Sequence, residues 1–152
     1  MAMRLPNVAL LAIVLLMLSS LGCGRTRPTA VPDHLPWLTS FSEAQAAAKA
    51  AGKPLVVDFW ATWCGPCHML AEKSFPHSRV QALKNEFIWA KVDVDRNAPV
   101  AARYSIRALP TVLILDGDGN VISASVGYTD GDSLTAFLQQ GLAKSRLLKP
   151  GT

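Results

Sequence analysis

Leu55-Val56-Val57-Asp58-Phe59-Trp60-Ala61-Thr62-Trp63-Cys64-Gly65-Pro66-Cys67 is the stretch on which the reading of this chain turns. Its first half, Leu55 to Trp60, is apolar on both faces apart from Asp58, the pattern of a strand in the middle of a sheet. Its second half puts two thiols where that strand hands over to a helix. Cysteines three apart share one face of a helical turn, close enough to close a small disulfide ring or open to a dithiol, so the pair can store two electrons. At a helix start Cys64 meets unpaired backbone N–H groups and the positive end of the dipole, and both favour the reactive thiolate. Pro66 suits the first turn, where its missing N–H costs nothing, and Gly65 leaves the approach to the Cys64 sulfur uncluttered.

A CxxC pair is also half of a zinc site, which needs two further ligands at sensible spacing. The remaining cysteine, Cys23, lies far upstream, and His34, His68 and His77 form no paired ligand spacing. Redox chemistry with no metal and no cofactor is therefore expected at Cys64 and Cys67.

Upstream, Arg4 precedes an apolar stretch from Val8 to Leu18 that ends in Ser19-Ser20-Leu21-Gly22-Cys23, a signal-peptide pattern over residues 1–22. Eleven residues fall short of the roughly twenty that span a bilayer, although counting from Leu5 to Leu21 comes near the lower limit, so an uncleaved anchor stays open. The small residues before Cys23 resemble the lipobox of bacterial lipoproteins, with Ser20 where Leu is usual. That resemblance implies lipidation of Cys23, which would become the first mature residue, and Gly24 after it resembles the class sorted to an outer membrane. Ordinary secretion with an incidental cysteine is the alternative. Lipidation would remove the one odd thiol from an oxidising compartment. On either reading the domain is expected outside the cytoplasm.

The chain has 152 residues, and a 22-residue leader leaves 130, enough for one domain with its own core. The formal charge of +4 falls to +3 once Arg4 leaves with the leader. Its basic residues are scattered, so no nucleic-acid partner is expected; Lys144, Arg146 and Lys149 cluster in a tail, 144–152, that reads as a solvated terminus. Residues 23–36 hold three prolines and few apolar side chains and read as a flexible tether.

The domain proper is predicted over 37–143. Ser40 or Ser42 can cap a helix through Glu43 to Ala51, which Gly52 stops. Strand Leu55–Trp60 and the CxxC helix follow, and Pro76 breaks that pattern. Ser78 starts a second helical stretch to about Asn85, and Phe87 to Val94 reads as a strand. A short helix from Pro99 to Tyr104 leads to strand Thr111–Leu115, a tight turn at Asp116-Gly117-Asp118-Gly119 and a hairpin strand Val121–Val126. Asp130 or Asp132 can cap a last helix whose Leu134, Phe137, Leu138 and Leu142 share one face. The order describes an α/β domain, a mixed sheet with helices on both faces.

From about Leu55 to Leu142 the chain resembles the thioredoxin superfamily. Val57-Asp58-Phe59-Trp60-Ala61 leads into Trp63-Cys64-Gly65-Pro66-Cys67 as it does there; Lys91-Val92-Asp93-Val94-Asp95 resembles the strand with a lysine near the site. Ser105-Ile106-Arg107-Ala108-Leu109-Pro110-Thr111 resembles the cis-proline segment, and Val126-Gly127 its later glycine. Gly52-Lys53-Pro54 and Glu72-Lys73-Ser74-Phe75 with Val80 look most like the C-terminal domain of membrane thiol:disulfide interchange reductases and small secreted thioredoxin-like lipoproteins. After the motif, His68 stands where a lysine is usual, and no proline kinks the CxxC helix.

The resemblance implies that Cys64 attacks a substrate disulfide and that Cys67 resolves the mixed disulfide. Asp58 would take the Cys67 proton, or else cap nearby backbone. Lys91 would tune Asp58, or else be solvated. A cis Leu109–Pro110 bond would leave backbone free to pair with an extended substrate; a trans proline starting a strand is the alternative. Trp63 and Trp60 would form an apolar docking surface or simply core, and His68 would adjust Cys67 or lie on the surface. Substrate-binding residues are thus Trp63, Gly65, Pro66, Leu109 and Pro110.

Direction is read from the dipeptide between the cysteines. Gly-Pro resembles reducing thioredoxins, whereas oxidases and isomerases of this fold more often place a histidine there, which stabilises the dithiol. The expectation is a monomeric, lipid-anchored, extracytoplasmic reductase of protein disulfides, fed by a membrane electron donor. Its alternatives are an oxidase or isomerase, and a non-catalytic metal-binding or assembly module on the same fold.

Overall fold

The computed structural model describes residues 34–148. The leader 1–22, Cys23 and most of the tether lie outside the described residues, as do 149–152.

A strand of two residues, β1 (Trp37–Leu38), opens the domain, and α1 (Phe41–Ala51) follows. Ser40 caps α1 by accepting from the Glu43 N–H, and Gly52 ends it in the left-handed conformation at φ 61°. Next come β2 (Leu55–Trp60), α2 (Gly65–Met69), a π-helical turn (Leu70–Ser74) and α3 (Ser78–Gln81). The chain then forms β3 (Ile88–Asp93), α4 (Ala98–Arg103), β4 (Thr111–Leu115), β5 (Val121–Val126) and α5 (Gly131–Leu148). Asp130 caps α5, its carboxylate accepting from the Asp132 and Ser133 N–H groups and the Ser133 hydroxyl; these bonds hold its carboxyl below the ordinary range.

The five strands lie in the order β1-β3-β2-β4-β5. β1 and β2 run parallel to β3, whereas β4 is antiparallel to both β2 and β5. β2 therefore has neighbours on both sides and buries Leu55 through Phe59, as its unbroken apolar run predicts. Alternation along β2 divides the core. Leu55, Val57 and Phe59 pack with Phe41, Ala44 and Ala48 of α1 and Ala101 of α4. Val56 faces the other way, with Leu70, Phe75, Val80, Leu134 and Leu138 from the CxxC arm, α3 and α5. The expected mixed sheet between helical layers is what the chain forms.

Four local expectations are corrected. The tether does not extend to residue 36: Leu35 is 5% exposed in the α5-side core, and Trp37 and Leu38 pair with Trp89 and Ala90. Two strand residues among prolines are too few to show a period. The tail does not begin at 144, because α5 continues to Leu148. Ser145 is buried there, and Lys144 Nζ donates to the Ile122 carbonyl at 2.7 Å, so the helix keeps packing into the stretch read as a solvated tail. The helix predicted over 78–85 is regular only to Gln81. Beyond it the N–H groups of Leu83, Lys84 and Glu86 bond three residues back, and the Lys84 carbonyl accepts the Trp89 indole N–H, which turns the chain into β3. Strand β3 itself is Ile88–Asp93 instead of Phe87–Val94.

Candidate active site

The two cysteines sit at the carboxyl end of β2, where the chain leaves the sheet. Cys64 is the N-cap of α2, and its extended backbone (φ −86°, ψ 96°) turns the chain so that Cys67 falls one helical turn on. They are joined as a disulfide with S–S 2.04 Å and Cα–Cα 5.3 Å. The Cys67 N–H points at Cys64 Sγ from 3.2 Å, the capping bond expected of a helix start. Pro66 occupies the first turn, where no N–H is needed. A Cβ on Gly65 would meet nothing within 4 Å, so the approach over the sulfur is open.

Both cysteines are only 4% exposed, yet their surroundings differ. A groove of about 490 Å³ runs past the motif, lined by Trp63, Cys64, Gly65 and Pro66 on one side and Val94, Ile106, Arg107, Ala108 and Leu109 on the other. Cys64 lines it and Cys67 does not. Behind the disulfide, Ala61, Trp60, Val94 and Leu109 close an apolar shell. The Leu109–Pro110 peptide is cis, the geometry that the resemblance implied. Pro110 is buried behind the groove wall, and its carbonyl accepts the Gly127 N–H at 2.8 Å.

Trp63 stands 69% exposed beside the groove, so it is a surface and not core. Its indole N–H donates to Asp95 Oδ2 at 2.9 Å, which fixes the ring against the loop after β3. Trp60 is half-buried against the thiols, and His68 packs edge-on to it at 6.5 Å. The exposed His68 ring bonds the Thr62 carbonyl through Nε2 at 2.9 Å, tying the turn before Cys64 to the residue after Cys67.

Asp58 is 2% exposed in β2, and Lys91 is its register partner in β3. Register partners in a parallel pair put their side chains on one face, so carboxylate and ammonium share the side of the sheet that carries α2. Lys91 is half-buried and not fully solvated. Its Nζ lies 4.8 Å from the Trp37 ring centroid, 5.7 Å from Phe75 and 6.0 Å from Trp60.

The groove brings together Trp63, Cys64, Gly65, Pro66 and Leu109, with Cys67 and the cis Pro110 behind it, whereas Asp58 and Lys91 sit opposite each other within β2 and β3. Sequence reasoning did not single out Asp95 as the anchor of Trp63, the His68–Thr62 tie, or Trp37 and Phe75 around Lys91. No spacing signal marks any of these, since each joins residues of different elements or opposite sides of a turn. Ile106, Arg107 and Ala108 do belong to the quoted proline segment. Among the described residues no group of three or more His, Cys, Asp or Glu side chains could hold a metal ion.

The sequence model of the thioredoxin family, described as "Thioredoxin", matches residues 38–140. The chain belongs to the thioredoxin family. It is 34% identical over 110 residues to thioredoxin of Pseudomonas aeruginosa, an alignment that covers 72% of this chain and 98% of that protein. Thioredoxin of Bacillus subtilis is 33% identical over 96 residues, covering 63% of this chain and 89% of the relative. Among solved structures, a point-mutant thioredoxin from Halobacterium salinarum NRC-1 superposes with a TM-score of 0.56 at 30% identity, covering 75% of this chain and 96% of that one. A thioredoxin with a closed CxxC disulfide is a thiol:disulfide oxidoreductase, and proteins with disulfides are its substrates.

Within that family frame this chain has its own variant of the CxxC helix. Where a proline kink is usual, the Phe75 N–H bonds the Leu70 carbonyl five residues back at 3.0 Å. A π-helical turn of this kind bends a helix without proline. It delivers Phe75 into the core and aims the buried Ser74 hydroxyl at the Thr129 carbonyl, 2.6 Å away.

Proposed function

We propose that this thioredoxin-family protein works outside the cytoplasm, tethered to a membrane by a lipid on Cys23, as a monomeric reductase of protein disulfides that draws its electrons from a membrane donor. What supports the reducing direction is the surroundings of the Cys64 sulfur. Among the described residues one hydrogen bond reaches it, from the Cys67 N–H, and Gly65 and Pro66 between the cysteines contribute no positive charge. The helix start favours the Cys64 thiolate, but a dithiol with no cationic residue between its cysteines lacks the further stabilisation that makes the dithiol form of an oxidase so stable, and it gives up its electrons more readily. The leader pattern of residues 1–22 supports the location, and that location supports the donor, since an oxidising compartment closes dithiols that are not recharged.

In the reduced protein Cys64, lining the groove, attacks one sulfur of a substrate disulfide. That S–S bond breaks, a Cys64–substrate bond forms, and one substrate thiolate leaves. Cys67, on the shielded side, then passes its proton to Asp58 and attacks the Cys64 sulfur. The Cys64–Cys67 bond closes, the second substrate thiolate leaves, and two electrons have moved to the substrate. The donor runs the same two exchanges in reverse. An extended substrate segment would lie between Trp63 and Leu109, pairing with backbone beside Pro110.

The reduction potential of the Cys64–Cys67 couple, equilibrated against glutathione or thioredoxin, tests the direction. A value near about −270 mV is expected, and one near about −120 mV would make the protein an oxidant instead. Fractionation tests the anchor: Cys23→Ala should release the protein from membranes. Retention of that variant would assign the anchoring to an uncleaved leader helix.

A further inference from the structure

We propose that Trp37 is a positioning residue for thiol exchange, holding the Lys91 ammonium beside Asp58 with the face of its indole. This rests on the reading of Asp58 as the group that takes the Cys67 proton. Trp37 is the first residue of β1 and pairs with Trp89, and Lys91 follows two residues later on the same face of β3. The Lys91 side chain runs over that face with Nζ 4.8 Å from the Trp37 centroid, while Phe75 at 5.7 Å and Trp60 at 6.0 Å wall two further sides. Such distances are within the range of a cation–π contact, and aromatic walls leave a long side chain few rotamers.

The walls are themselves fixed. Trp37 meets Phe75 edge-on at 4.9 Å and Trp89 at 5.5 Å, and Phe75 is fully buried at the close of the π-helical turn. Two elements that differ from what sequence reasoning expected, the short β1 and the proline-free bend, therefore converge on one ammonium. A cation held there stabilises the Asp58 carboxylate through a low-dielectric path; a lysine free to swing into water would be screened. The other titratable groups on the packed elements have different surroundings. Asp93 of β3 faces Arg96 at 3.7 Å, His68 of α2 is bonded to Thr62, and Glu72 and Lys73 of the π-helical turn are exposed.

The test is the pH profile of single-turnover oxidation of the reduced protein by glutathione disulfide, with the Asp58 limb identified as the one that Asp58→Asn removes. Losing the held cation raises the Asp58 pKa, so Trp37→Leu should move that limb to higher pH by about half a unit, the size of one cation–π contact. Trp37→Phe, which restores a ring face, should return most of the shift, and Trp37→Leu should shift nothing further in a Lys91→Met background. An unmoved limb with a lowered melting temperature would leave Trp37 only a structural role, and an equal shift without Lys91 would overturn the route through it. Should Trp37→Leu not fold, the wild-type proton spectrum decides: the Lys91 ε-methylene should be displaced upfield by the rings, and unshifted positions would sink the proposal. If Asp58→Asn removes no limb, the base assignment fails, while the ε-methylene shift still reports whether the cage exists.

Discussion

Cys64 and Cys67 are three residues apart and equally buried, yet the fold gives them unlike work. Cys64 lines the groove under the exposed edge of Trp63, and Cys67 faces Ala61, Trp60 and Leu109. That asymmetry predicts distinct failures. Cys64→Ser should drop insulin-disulfide reduction to the uncatalysed rate, whereas Cys67→Ser should stall with substrate bound covalently to Cys64. Nonreducing electrophoresis of Cys67→Ser would show adducts that dithiothreitol dissolves, and none with Cys64→Ser. Adducts on the double variant would place the nucleophile elsewhere. Both thiols were legible in the sequence because helix periodicity acts over neighbouring residues. Asp95 as the anchor of Trp63 was not, because that bond joins two loops thirty-two positions apart.

The elements show where local patterning stops being sufficient. β2, β4 and β5 occupy the ranges their apolar runs predict, since each is bounded by turn residues that act locally. The CxxC arm is different: no residue type encodes a π-helical turn, and its shape follows from Phe75 being drawn into a core site against Trp37. α5 outlasts its predicted end for a related reason. Its buried Gly141 lies against Ile114 of β4, and a Cβ there would overlap Ile114 Cδ1. Gly141→Ala gains up to about 1 kcal/mol of helix propensity. It should nonetheless destabilise the domain by about 1–2 kcal/mol net, because Ile114 is fully buried and has little room to move. Urea denaturation measures the difference, and a stabilised variant would mean that the β4–α5 interface yields at little cost.

At the scale of the whole molecule, the N-terminal segment is part of the domain. Leu35 packs into the same core as Trp89, Val56 and Leu138, so Leu35→Ala should cost about 2–3 kcal/mol. A residue of a flexible tether would change stability by no more than about 0.5 kcal/mol. Chemical denaturation of the two proteins side by side separates those outcomes. The same segment carries Trp37 to Lys91, so the start of the domain reaches the redox site. No helix among the described residues is long and apolar enough to cross a membrane.

By itself the sequence determined the α/β class, the position of the dithiol at the end of a buried strand, and the proline segment opposite it. Periodicity, turn chemistry and motif spacing are all short-range, and these features need nothing more. Only the tertiary structure decided that Leu35 is core, that α5 runs to Leu148, that the CxxC arm bends through a π-helical turn, and that Trp37, Phe75 and Trp60 surround Lys91. Each of those depends on a contact between segments far apart in the chain, where burial and packing outweigh local preference.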